Sequence, residues 1–290
     1  MRLKTKNEIA FELFNYIILC MIILLCLIPV LNIVAKSFSQ EGAVIAGDVF
    51  IWPIGFHLDA YRVVLGSQKF LSSFGNSVFI TVVGTIINVT LTVFTGYALS
   101  RGRLRGQKAI MMLYVFTMLF GAGLIPTYLV IKSLGLLDTL WALIIPTLVS
   151  PFNMIIVRLY FYSIPDSLEE SGKMDGAGNL RILFSIMIPL AMPVIATIGL
   201  FCAVEYWNSY FDALMYINNY KLLPLQVFLR EMILSASDAS NNVDVLAQVH
   251  VSLESIRGAT VVAATLPIVI VYPFLQRYFV KGIALGAVKG

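Results

Sequence analysis

Six runs of mainly apolar residues divide the chain, at roughly 13–35, 74–99, 109–131, 139–157, 182–204 and 258–276. A helix needs about 20 such residues to cross the hydrocarbon core of a bilayer, so each run predicts one transmembrane helix. Arg2, Lys4 and Lys6 precede the first run, as they would in a secretory signal. A signal's apolar region is only about 7–15 residues and ends at a small-residue cleavage site. Here the run is longer and leads into Lys36-Ser-Phe-Ser, which predicts an uncleaved first helix. The second run is the most polar. Its Ser77, Thr81, Thr85, Asn88, Thr92 and Thr95 recur at intervals of four and three and so share one helical face. That stripe reads either as interhelical hydrogen bonding or as the wall of a pathway. Gly258, Ala259, Ala263 and Ala264 read as a small-residue packing face in the last run.

Composition agrees with the pattern. The chain is 59% hydrophobic and 12% charged, against roughly 45–50% and about 25% for an ordinary soluble domain. Too little polar surface is present to cover such a core, so lipid takes the place of water. The expected class is an all-α integral membrane protein, a single transmembrane domain over residues 1–290. The net charge of +4 reads as membrane topology rather than nucleic-acid binding, because the basic residues sit between apolar runs. With the N-terminus inside, the inner side holds Arg2, Lys4, Lys6, Arg101, Arg103, Arg105, Lys108, Arg158, Lys173, Arg181, Arg277, Lys281 and Lys289. The outer side holds only Lys36, Arg62, Lys69, Lys132, Lys221, Arg230 and Arg257. This bias predicts that both termini are cytoplasmic.

Little in the chain speaks for catalysis. Cys20, Cys26 and Cys202 fall inside apolar runs without metal-ligand spacing and read as inert buried thiols. His57 and His250 lie in predicted outer segments, so an intramembrane enzyme lacks its usual residue sets. No P-loop or Gly-rich nucleotide fingerprint is present, so an ATPase, with its ATP and Mg, would have to be another chain. None of the six runs contains Asp, Glu, Lys, Arg or His. Ionisable residues inside a membrane mark proton relays and ion pathways. Their absence points to a neutral substrate and an energy source outside the bilayer. The alternative is a secondary carrier for a neutral solute, which would need a coupling-ion site.

The segment 164–181, between the fourth and fifth runs, is too polar to enter lipid and too short to span it. Pro165 starts a short helix that Asp166 and Ser167 can cap. Glu169 and Glu170 fall in its first turns, where the helix dipole favours negative charge. Gly176 and Gly178 end it. The sequence then reads Ile186-Met-Ile-Pro189. This segment resembles the cytoplasmic loop shared by permease subunits of bacterial ABC importers, whose pattern is Glu-Ala-Ala, three residues, Gly, nine residues, then Ile-x-Leu-Pro. Glu170, Gly176, Ile186 and Pro189 stand at the family spacing; Ser171 and Gly172 replace the two alanines, and Ile188 replaces the leucine.

The resemblance covers nearly the whole chain. Gly123-Leu-Ile-Pro-Thr-Tyr128, Leu134 to Ala142, Glu205-Tyr-Trp-Asn-Ser-Tyr210 and Tyr272 to Gly282 look like the maltose-type carbohydrate branch, closest in look to complex-oligosaccharide permeases. It implies a type I ABC importer permease fold in the bacterial cytoplasmic membrane. It also implies a second homologous permease as heterodimer partner, two cytoplasmic ATPase subunits, an extracellular solute-binding protein and an oligosaccharide substrate. Glu169, Glu170, Ser171, Gly172, Asp175 and Gly176 would form the ATPase-coupling set. Glu170 would meet a basic residue of the ATPase, and Gly172 and Gly176 would permit close approach. For the sugar, Tyr206, Trp207, Asn208, Tyr210 and Asp212 mix aromatic faces with polar groups, and read equally as an interfacial aromatic belt. Asn88 and Asn153 are further pathway candidates, and Tyr220 to Phe228 could reach the binding protein.

Overall fold

A computed structural model describes residues 6–102, 104–238 and 252–287. Arg103, His250 and the polar stretch 239–242 lie outside them. The described residues form helices and connecting loops, grouped in two compact units: Met1–Phe70 with Leu229–Leu266, and Leu71–Phe228 with Pro267–Gly290. Four helical stretches are long and apolar enough to cross a membrane, and two bent helix pairs raise that to six if each pair is one crossing.

The first unit contains α1 (Lys6–Ser37), α2 (Glu41–Ala46), α3 (Asp59–Gly66) and the start of the long C-terminal helix Leu253–Ala287. The apolar stretch of α1 is exposed along its length, a surface that requires lipid or another chain to cover it. Cys20 and Cys26, expected to be buried, are exposed on that surface, whereas Cys202 is buried. The end of α1 is different. Asn32 Nδ2 donates to the carbonyls of Val49 and Phe50 at 3.1 and 2.8 Å. Phe38 stacks on both Phe56 and Tyr61. Gly258 lets the last helix approach closely, because a Cβ there would lie 2.9 Å from the carbonyl oxygen of Ile33. The small-residue face is a packing face.

The second unit is built around α4 (Gln68–Ser100), whose residues from Leu71 belong to it. Then come α5 (Gln107–Leu119), α6 (Leu124–Ser133), α7 (Trp141–Ile144), α8 (Pro151–Ser163), α9 (Asp166–Met174), α10 (Asn179–Ile182), α11 (Ile188–Trp207) and α12 (Phe211–Tyr216). Its core joins Ile80 and Val93 of α4 to Val157 and Phe161 of α8 and to Ala191 and Ile198 of α11. Gly84 and Gly96 bring the helices together: a Cβ at Gly84 would meet the Tyr206 ring at 2.8 Å, and one at Gly96 the Val157 side chain at 2.9 Å.

Two stretches predicted as continuous helices are broken, each by residues visible in the sequence. Residues 109–131 run as α5 and α6, bent by 116°, and Gly123 between them takes φ 85°. Residues 139–157 run as α7 with a 3-10 turn at Ile145–Thr147, then α8 at 48°. Pro151 opens α8; it disfavours helical backbone at Ser150, which is extended and whose side chain accepts from Asn153 N. Before α11 the chain makes a π turn over Leu183–Met187. Pro189 follows it, and a proline ring conflicts with the carbonyl four residues earlier in a regular α-helix.

The orientation drawn from the basic residues is tested by thiol labelling. With Cys20, Cys26 and Cys202 replaced, Leu104→Cys and Gly178→Cys should resist an impermeant reagent added outside whole cells, and Arg62→Cys should react. Outside labelling of the first two would reverse the topology.

Candidate functional site

Helix α9 is amphipathic in an unusual way, because its buried face carries a charge. Adjacent residues on an α-helix point about 100° apart, and here they divide. Glu169 is 1% exposed, and Glu170 faces outward. Glu169 Oε2 lies 3.1 Å from Arg101 Nε, and its Oε1 accepts from Lys173 Nζ at 2.7 Å. Arg101 also pairs with Asp166 and reaches the Ile164 carbonyl. Asp166 is therefore engaged by Arg101 rather than capping the helix, whose N-cap is Pro165. The exposed Asp166 contact contributes little. The Arg101–Glu169 contact is another matter: it is buried, and without Arg101 the Glu169 carboxylate keeps only Lys173, so the loss falls below the roughly 3–5 kcal/mol of breaking an isolated buried pair.

The glycines of the segment also divide. Gly172 is buried, and a Cβ there would meet Ile186 Cδ1 at 3.1 Å and Ile182 Cγ1 at 3.3 Å. The close approach that Gly172 permits is thus to the chain's own π turn and α10. Gly176 takes φ 76° and has open space around its Cα. It supplies the left-handed residue after the helix that lets the chain reverse. Gly178, expected to end α9, is extended and starts α10. Glu170, Ser171, Asp175 and Gly176 form the exposed side; Glu169 and Gly172 face the body of the unit.

The candidates for sugar contact fall into two groups. Asn88, Asn153 and Tyr206 are all buried and share one network. Asn88 Nδ2 donates to the Thr147 carbonyl at 2.8 Å, while its Oδ1 accepts from Thr92 Oγ1 at 3.2 Å and Cys202 Sγ at 3.3 Å. Asn153 Nδ2 donates to Cys202 Sγ at 3.6 Å, and Thr147 Oγ1 to the Tyr206 hydroxyl at 3.2 Å. Within the second unit, this half of the α4 stripe serves interhelical bonding. Trp207 is buried edge-on to Phe74. Asn208 is exposed, with its Oδ1 accepting from Gln226 Nε2, and Tyr210 is half-buried. Burial raises the Asp212 carboxyl above the usual range.

A loop at 217–224 is held from two sides. Asn76 Nδ2 donates to the Lys221 and Leu223 carbonyls, and Leu225 N donates to Ser77 Oγ. Asp138, at φ 58°, accepts from the backbone N–H groups of Asn218 and Asn219. These donors hold its carboxyl below the usual pKa. A depressed carboxylate contributes most above its unfolded pKa, and that contribution is lost as pH falls through the folded value. Amide protection at Asn218 and Asn219, corrected for the intrinsic exchange rate at each pH, should therefore be high at neutral pH and fall under acid. Asp138→Asn, which tolerates the same backbone, should show fast exchange already at neutral pH. Equal exchange in both proteins would remove the clamp.

Arg101 was missed as a site residue by sequence reasoning, which counted it only as a topological charge. The available signal was the spacing of Glu169 and Gly172, three residues apart, which marks an inward face of α9.

The sequence matches the family described as binding-protein-dependent transport system inner membrane component over residues 9–285. It is 44% identical over 286 residues to the polygalacturonan/rhamnogalacturonan transport system permease protein YtcP of Bacillus subtilis (strain 168), covering 98% of this chain and all of the relative. It is 43% identical to protein LplC of the same organism, covering 99% of this chain and 97% of the relative. Among solved structures it matches a chain of a bacterial ABC transporter involved in the import of the acidic polysaccharide alginate. There the TM-score is 0.91 at 37% identity, over 96% of this chain and 100% of that one.

Proposed function

Since the chain belongs to the family of binding-protein-dependent transport system inner membrane components, we propose that it forms one half of the permeation pathway of an ATP-driven oligosaccharide importer. The other half is a second, homologous permease. Two cytoplasmic ATPase subunits bind ATP and Mg and perform the hydrolysis; this chain is not catalytic. A solute-binding protein delivers the sugar, with the exposed Tyr220 on the clamped 217–224 loop as a contact. The exposed side of α9 is the ATPase joint, and it carries the mechanical half of the reading: a nine-residue helix outside the apolar runs, with one carboxylate turned in and its neighbour turned out. Such a joint biases a two-state element and performs no chemistry.

The proposed substrate is an acidic oligosaccharide. An absence of ionisable residues from the apolar runs favours an external energy source. It does not select a neutral solute, because the 37%-identical chain serves an importer of an acidic polysaccharide. Hydroxyl and amide groups can bind a carboxylate as well as a neutral sugar.

The test is reconstitution with the partner permease, ATPase and binding protein in proteoliposomes. Uptake of a labelled oligogalacturonide should require ATP and the binding protein, and should exceed that of a maltodextrin. Uptake by this chain alone, driven by an ion gradient, would establish the secondary carrier instead.

A further inference from the structure

The Arg101 guanidinium ties α9 to the end of α4. Arg101 directly follows the last residue of α4 and is 7% exposed, facing a Glu169 side chain that is 2% exposed. Its other nitrogens reach Ile164 O just before α9, Asp166 in its first turn and Met187 Sδ in the π turn. The carbonyl of Leu99, two residues back, accepts from Arg158 Nε at 2.9 Å and from the Gln107 side chain. The end of α4 is thereby strapped to α8, α5 and α9 at once. Among the described residues no such strap reaches the exposed side of α9 that bears Glu170.

A helix this short has no core of its own. A push on its exposed side would be absorbed by the flanking loops unless something fixed it to a longer element. Arg101 does so with a planar fork that engages several acceptors in fixed directions, which a lysine cannot reproduce. We propose that Arg101 is a positioning residue for energy coupling: through Glu169 it makes α9 and α4 move as one body, so that ATPase motion reaches the pathway helix. The proposal rests on the reading of α9 as the ATPase joint. Arg101 acts through Glu169 and touches neither nucleotide nor solute.

The experiment uses the complete reconstituted transporter and measures three quantities: ATPase retained on purification, ATP hydrolysed, and solute carried per ATP. Arg101→Gln should keep the ATPase bound, since the exposed side of α9 is unchanged. Solute carried per ATP should fall on the order of tenfold, the size of a coupling free energy of about 1.4 kcal/mol. Arg101→Lys should recover only part of it. Glu169→Gln should lower solute per ATP in the same direction, and the double variant should fall short of the sum of the two singles, because the Arg101–Glu169 contact is lost in both. Unchanged solute per ATP in Arg101→Gln would overturn the proposal. Loss of bound ATPase in Arg101→Gln would also overturn it, by reducing the pair to a support for docking. The joint itself fails separately, in Glu170→Lys: if that variant keeps both bound ATPase and uptake, α9 is not where the ATPase docks.

Discussion

Glu170→Lys is expected to abolish uptake while leaving the amount of subunit in the membrane unchanged. Glu170 is exposed on α9, and the inward charge work of that helix falls to its neighbour Glu169. Reversing the charge therefore leaves the Arg101–Glu169–Lys173 contacts in place. It converts attraction to repulsion wherever the ATPase presents a basic groove, as the family resemblance implies. A like-charge juxtaposition in an interface costs several kcal/mol, enough to lose the ATPase from the purified complex. Gly176→Asp should act at the same contact by another route. Its φ of 76° costs a residue with a Cβ about 1–2 kcal/mol, too little to unfold the unit. Open space around the position then leaves added bulk and charge facing the partner. Normal uptake by both variants at normal expression would refute the joint.

What the sequence reveals and what it hides follow from the same physics. Hydropathy finds apolar length, so the long helices are legible; α4 extends only a turn or so beyond residues 74–99. Hydropathy is blind to direction, so the 116° turn between α5 and α6 passes unnoticed although Gly121, Gly123 and Pro126 mark it. Local chemistry makes α9 legible, since Pro165, the two glutamates and Gly176 carry start, dipole and stop signals within a few residues. Its partner is hidden, because a contact between Arg101 and Glu169 depends on how the chain returns after α5 to α8. The polar stripe of α4 shows the same limit. Its spacing gives one face, but whether that face meets protein or solute depends on what packs there, and for Asn88 it is the chain's own 3-10 turn at Ile145–Thr147 and α11.

That placement yields a prediction that separates packing from sugar recognition. Asn88→Leu keeps the branching of the side chain, adds bulk at a buried position, and removes an amide with partners on two sides. The Thr147 carbonyl loses its donor, and the Thr92 hydroxyl and Cys202 thiol lose their acceptor. In a water-soluble interior each stranded group costs about 1–3 kcal/mol. In membrane bundles the average interhelical bond is worth only about 0.6 kcal/mol, because the unpaired groups find other partners. The bond to Thr147 is short and part-buried, and the two to Oδ1 are longer and buried, so a loss of about 1–3 kcal/mol is expected for the whole change. Thermal inactivation of the solubilised complex should shift to lower temperature. Thr90→Ala, which removes only an exposed intrahelical bond to Ile86, should leave it where it is. The solute concentration that half-saturates ATPase stimulation should move by less than about twofold in Asn88→Leu, equivalent to under about 0.5 kcal/mol of binding. The opposite pattern, wild-type thermal stability with half-saturation raised about tenfold, would place Asn88 against the sugar and make the α4 stripe the wall of the pathway.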